Sequence, residues 1–160
     1  MTDWNTLLAL QAGAAATLVG LVFVAVSINL DRVLAYPGLP DRAAETILQF
    51  LEVFLISTVA LVPGQSGLFL AIELLVIAVL FWVIPIVLQV RYLRLKTGHP
   101  RWWFMLRSVQ SQLATIPFCV AGIALLTGAP SALYWLVPGF VFSFVSGIVN
   151  SWVLLVEIRR

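Results

Sequence analysis

Long apolar runs separated by short polar segments are the feature that most limits what this chain can fold into. Crossing a bilayer as a helix takes about 20 apolar residues, and β-barrel strands would be shorter and would alternate in polarity. Five runs meet the helical requirement, at approximately 7–30, 42–62, 68–93, 102–126 and 131–157. We therefore predict an all-α integral membrane protein, a bundle of five transmembrane helices that forms a single domain over residues 1–160.

The composition agrees with a lipid-facing surface. Charged residues make up 10% of the chain, whereas a soluble domain carries about 25%. The chain has one cysteine, Cys119, and one histidine, His99, which provide neither a disulfide nor a ligand set for zinc. No pair or triad of residues has a spacing typical of catalysis. We expect neither an enzyme nor a bound metal or cofactor.

The positions of the positive charges predict the orientation. All nine Lys and Arg residues lie in or beside the loops that follow the first and third runs, or at the C-terminus: Arg32, Arg42, Arg91, Arg94, Lys96, Arg101, Arg107, Arg159 and Arg160. Positive residues stay on the cytoplasmic side. Five spans therefore place the N-terminus outside and the C-terminus in the cytoplasm. Because the cations sit at membrane boundaries, they form no basic stripe for nucleic acid.

The first run carries small residues on one helical face. They are spaced three or four residues apart, at Ala9, Gly13, Ala16 and Gly20. In lipid, small faces allow two helix backbones to approach closely. This face either packs against another helix of the same chain or forms a seam between copies in a homo-oligomer.

The second run carries an unusual polar face. Glu45, Gln49 and Glu52 occur at positions i, i+4 and i+7, so they project from one side of a helix. Glu52 lies about 13 Å into the span, where a charge costs at least about 2.5–3.5 kcal/mol. We expect it to face protein or water, paired or protonated, with Gln112 or Arg107 nearby. Its role is either a structural hydrogen bond or salt bridge, or that of a functional carboxylate.

The fourth and fifth runs provide candidate partners for these groups. Polar residues recur at helical spacing at Ser111, Gln112, Thr115 and Asn150, with Arg107 and Glu157 as possible salt-bridge partners. They either form hydrogen bonds between helices or line a water-filled vestibule that opens to the cytoplasm. Leu18 and Val22 are candidates for an apolar constriction. Prolines interrupt three runs, and we expect Pro138-Gly139 to be the strongest break.

The N-terminal third resembles small multi-pass bacterial membrane proteins of unassigned function. The residues that carry the resemblance are the apolar stretch 14–30, the Pro37–Pro40 loop and the Arg42–Glu45 segment. The resemblance implies a multi-pass protein of the bacterial cytoplasmic (inner) membrane. It carries over no functional residue.

These observations favour a homo-oligomeric membrane pore or ion pathway for small cations or protons. Its pathway residues would be Glu45, Gln49, Glu52, Ser111, Gln112, Thr115 and Asn150. Carboxylates in such pathways set the sign of selectivity. The alternative is an accessory or regulatory subunit that docks onto a larger membrane protein complex. The partners expected are therefore lipid and further copies of the chain, or that complex.

Overall fold

The computed structural model describes residues 2–36, 38–94 and 101–159. Within these ranges every regular element is helical: α1 (Thr2–Ile28), α2 (Leu30–Ala35), α3 (Leu39–Ala60), α4 (Gly67–Arg94), α5 (Arg101–Leu126), a 3₁₀ turn (Ala132–Trp135) and α6 (Leu136–Arg159). In the same ranges, five helices are long and apolar enough to cross a membrane. The all-α fold with five candidate spans is thus confirmed.

The helix boundaries near residue 35 differ from those predicted. The first run is broken at Asn29, whose backbone has φ −111° and ψ 22° and whose side-chain amide donates to the carbonyl of Ala25 at 2.9 Å. Residues Leu30–Ala35 form the separate helix α2. Helix α3 then begins at Leu39, earlier than expected. Gly38 adopts φ 90°, a conformation that suits glycine, and Pro40 fits the first helical turn because no N–H is needed there.

Four helices form a closed ring in which each packs against two neighbours, in the order α3, α4, α5 and α6. Helix α1 lies outside this ring and packs mainly along α3. One part of the ring is filled by apolar side chains that include Ile56, Phe118 and Phe140. The other part, around the first half of α3, contains the polar residues described below.

Close approach within the ring depends on glycines in α5 and α6. A Cβ atom at Gly147 would lie 2.3 Å from the ring of Phe50 on α3, and one at Gly139 would lie 2.4 Å from the ring of Phe118 on α5. Any larger residue would therefore push these helices apart. The glycines that set the helix spacing are thus in α6, and in α5 at Gly122, where a Cβ atom would lie 2.7 Å from the side chain of Leu75 on α4.

The small face of α1 points away from the rest of the described chain. Ala9, Gly13, Ala16 and Gly20 are exposed, and a Cβ atom at either glycine would meet nothing within 4 Å. The opposite face of α1, with Leu8, Ala15 and Val22, is the buried one. Packing within the chain therefore does not use the small face, and a seam between copies stays a prediction.

Candidate functional site

A narrow cleft lies inside the ring, between α3, α4, α5 and α6. We call it the polar cleft, and its lining residues are Glu45, Leu48, Gln49, Glu52, Phe81, Pro85, Arg107, Ser111, Thr115, Ser146 and Asn150. Its volume of about 10 Å³ gives room for about one water molecule. The structure therefore brings together six of the seven residues proposed for an ion pathway, all except Gln112.

An ion pair stands at one end of the polar cleft. Nε of Arg107, on α5, donates to Oε2 of Glu45, on α3, at 2.6 Å. The two side chains are only 12% and 6% exposed. Such a short charge-assisted hydrogen bond fixes α5 to α3 and leaves this end of the cleft close to electrical neutrality.

Hydrogen bonds join α3 and α5 to α6 in the middle of the polar cleft. Nε2 of Gln49 donates to the hydroxyl of Ser146 at 2.7 Å. Gln110, on α5, donates from Nε2 to the backbone carbonyl of Ser146 at 3.4 Å. Asn150, one helical turn further along α6, is buried on the same side.

Glu52 is the last of the three polar residues of α3 that line the polar cleft. It is 1% exposed, and its Oε2 accepts a hydrogen bond from the hydroxyl of Thr115 at 3.2 Å. Of the two residues expected nearby, Arg107 lines the same cleft but is bonded to Glu45, and Gln112 lies outside the cleft. Arg107 precedes Thr115 by eight residues, about 12 Å along the helix, and at that level it meets Glu45 instead.

Gln112 lies outside the polar cleft. Its Oε1 accepts a hydrogen bond from the indole nitrogen of Trp82, on α4, at 2.5 Å. Successive helical residues differ by about 100° in direction. Gln112 therefore points away from the cleft, whereas its neighbour Ser111 lines it.

Three acceptor oxygens on α3 have no hydrogen bond within the described part of the chain. They are the Oε1 atoms of Glu45, Gln49 and Glu52, all buried and all on residues that line the polar cleft. A buried polar atom without a partner costs about 1–3 kcal/mol. The polar cleft is therefore a row of acceptors suited to a proton, a water molecule or a cation.

Pro85 interrupts the backbone hydrogen bonds of α4 beside the polar cleft. Proline has no N–H, so Pro85 donates nothing to the carbonyl of Phe81 one turn earlier, and both residues line the cleft.

The expectation that Pro138-Gly139 would be the strongest helix break was wrong. Pro138 is the third residue of α6, where a helix needs no N–H donor, so Pro138-Gly139 begins the helix and does not break it.

Gln89 is a buried polar residue that the sequence analysis missed. It lies on α4 at 3% exposure, and its Oε1 accepts a hydrogen bond from the hydroxyl of Ser108, on α5, at 2.9 Å. The available signal was that Gln89 is the one amide side chain of the third apolar run. Its bond reinforces the contact between α4 and α5 near Arg107.

The remaining candidates lie away from the polar cleft or outside the description. Leu18 and Val22 belong to α1, and neither lines the cleft, so a constriction formed by them would not control this site. The side chain of Glu157 falls outside the described residues.

Comparisons with protein-family models, with curated proteins and with solved structures gave no match to this chain. Its function is therefore argued from the chemistry of the polar cleft.

Proposed function

We propose that the protein is a membrane pathway for protons or small cations, with Glu52 as its inner binding site. The observation that carries this proposal is a carboxyl group at 1% exposure in the middle of a candidate membrane span. Ionisable groups at that depth are expensive, and they mark ion or proton pathways by default. Thr115 supplies one neutral hydrogen bond to Glu52, which leaves the second oxygen for the transported species.

The other residues of the polar cleft have separate roles in this proposal. Glu45 lies at the mouth and holds Arg107 in an ion pair. Gln49, Ser111 and Asn150 supply neutral oxygens between the mouth and Glu52. Arg107 would repel cations if it stood alone, and its ion pair with Glu45 at 2.6 Å supports the proposal because it cancels that repulsion.

Flux from liposomes that contain the purified protein tests the pathway. We expect wild-type protein to release protons or small cations, and Glu52→Gln to abolish the release. Glu73→Gln is the matched control, since Glu73 lies in candidate span α4, outside the polar cleft, and is hydrogen-bonded to Gln65. Folded wild-type protein that gives no flux over a range of pH and voltage would refute the proposal.

We place the protein in the bacterial cytoplasmic membrane, with the N-terminus outside and the polar cleft facing the cytoplasm. The distribution of all nine Lys and Arg residues supports this orientation. In it, the ion pair of Glu45 and Arg107 lies near the inner boundary. Glu52 lies about 10 Å deeper along α3.

We also propose that copies of the chain associate through the small face of α1. The exposed positions Ala9, Gly13, Ala16 and Gly20 support this, because small residues allow close contact between helices in lipid. A cysteine at Gly13 should form a disulfide-linked dimer in membranes when Cys119 is replaced by Ala. A cysteine at Leu21, which is exposed on another side of α1, should not. Equal cross-linking at both positions would argue against a specific seam.

The second candidate function is an accessory subunit of a larger membrane complex. The same observation on α1 favours it, because the open space at Gly13 and Gly20 can also receive a helix of another protein. A purified monomer that gives no flux, and that shows no cross-linking through Gly13, would support this alternative over the pathway.

A further inference from the structure

We infer that the species bound in the polar cleft is a proton, held on Glu52 within each single chain. This inference rests on the proposed function and specifies it further, since the proposal includes both protons and small metal cations. It also places the site inside one subunit, and not on the symmetry axis of an oligomer.

The size of the polar cleft favours a proton. A dehydrated metal cation such as Ca²⁺ or Mg²⁺ needs about six oxygen ligands, and a hydrated one needs room for several waters. The cleft has a volume of about 10 Å³, which corresponds to about one water molecule. Among the described residues, no three His, Cys, Asp or Glu side chains come together as they do in many divalent metal sites. A proton needs a single oxygen.

Two acceptor oxygens in the polar cleft, one of them on Glu52, have no hydrogen-bond donor in the described chain. Oε1 of Gln49 and Oε1 of Glu52 are both buried acceptors without a partner in the described chain, and the two residues are neighbours on one helix face. A proton on Oε1 of Glu52 turns that oxygen into a donor. It can then satisfy Oε1 of Gln49, directly or through one water. One proton on Glu52 thus gives both buried oxygens a hydrogen-bond partner.

The charges around Glu52 favour the same conclusion. Glu45 and Arg107 are the other charged residues that line the cleft, and they neutralise each other. Thr115 and Cys119 on α5 interact with Glu52 and are neutral. The remaining residues that line the cleft from the packed helices are also neutral: Phe81 and Pro85 on α4, Ser111 on α5, and Ser146 and Asn150 on α6. An ionised Glu52 would leave one uncompensated negative charge in this interior, which is costly. Uptake of one proton removes that charge.

A proton reaches Glu52 through the one water molecule that the cleft can hold. A hydronium ion at the mouth gives a proton to the cleft water, and that water gives one of its own protons to Oε1 of Glu52. One O–H bond breaks and one forms at each stage. Release reverses the sequence and returns the carboxylate. Separation of Arg107 from Glu45 would open the mouth to bulk water during the exchange.

Infrared difference spectroscopy of the protein in lipid nanodiscs, recorded between two pH values, tests the inference. We expect a carboxylic-acid C=O band in wild type that disappears in Glu52→Gln, remains in Glu73→Gln and is unchanged when Na⁺ replaces K⁺. Glu52→Asp keeps a carboxyl group at this position and should show the band at a shifted frequency. That result would show that Glu52→Gln loses the band because it lacks the carboxyl group, and not because it fails to fold. Absence of a band that depends on residue 52 would overturn the inference.

Ion flux separates this inference from the proposed function. Proton flux that depends on Glu52, without K⁺ or Na⁺ flux, supports both. Flux of K⁺ or Na⁺ that depends on Glu52, without the carboxylic-acid band, overturns the inference and supports the pathway. The band without any flux supports a proton on Glu52 and overturns the pathway.

Discussion

Replacing Arg107 by Gln should destabilise the protein more than any other single neutralisation of a described cation. The ion pair with Glu45 has a separation of 2.6 Å, and its side chains are 12% and 6% exposed. Removing one partner of a buried pair costs about 3–5 kcal/mol, because the other charge is left uncompensated in the interior. We therefore expect the free energy of unfolding of Arg107→Gln to fall by about that amount.

The double variant Glu45→Gln with Arg107→Gln isolates the charge effect. Two neutral amides leave no buried charge, whereas Arg107→Gln alone leaves the Glu45 carboxylate buried without its counter-charge. We expect the double variant to be more stable than Arg107→Gln alone. Arg91→Gln is the matched control, because Arg91 is exposed and an exposed charge contributes about 0–1 kcal/mol.

Unfolding of the purified variants in mixed micelles, titrated with sodium dodecyl sulfate and followed by tryptophan fluorescence, measures these differences. Wild type, Glu45→Gln, Arg107→Gln and the double variant together form a double-mutant cycle. Their free energies of unfolding give the coupling energy between Glu45 and Arg107 directly. The reasoning would be refuted if Arg107→Gln stayed within about 1 kcal/mol of wild type, the range of an exposed pair, or if the double variant were no more stable than the single one.

Three further predictions concern other parts of the molecule. Glu52→Gln should retain the wild-type elution profile in detergent, whereas Glu52→Lys should aggregate, because a buried cation would have no partner there. Gly147→Ala should lower the free energy of unfolding by about 1–3 kcal/mol through overpacking against α3. Gly67→Ala, where a Cβ atom would meet nothing within 4 Å, should not lower it; equal losses would contradict the packing described. In a cysteine-free background, a cysteine at Gly64 should react with an impermeant thiol reagent in intact cells, and one at Gly98 should not; the reverse pattern would invert the topology.

Most of the polar cleft could be predicted from the sequence because its residues follow helical spacing. Glu45, Gln49 and Glu52 share one face of α3, and a buried carboxyl group needs polar neighbours from the facing helices. The choice of Thr115 over Gln112 as the partner of Glu52 could not be predicted. That choice depends on the rotation of α5, and polar residues at 111, 112 and 115 are compatible with more than one rotation.

The face of α1 that packs against α3 could not be predicted from the sequence, for a related reason. Both of its faces are free of charge, one with small residues and the other with larger apolar ones, and both are compatible with contact to another helix or to lipid. Periodicity therefore does not indicate which face meets α3. The start of α6 was obscured by the 3₁₀ turn at Ala132–Trp135, which places Pro138 in a first turn where proline is tolerated.

The separation in sequence between α3 and its polar partners has a consequence for biosynthesis. Glu45, Glu52 and Gln49 form their hydrogen bonds with residues that follow them by 62, 63 and 97 positions. At about 5–20 residues synthesised per second, α3 waits roughly 3–20 s for those residues to emerge. Its mean hydropathy is also the lowest of the five candidate spans. If the chain enters a membrane helix by helix, the acidic side of α3 is without these partners until α5 and α6 arrive.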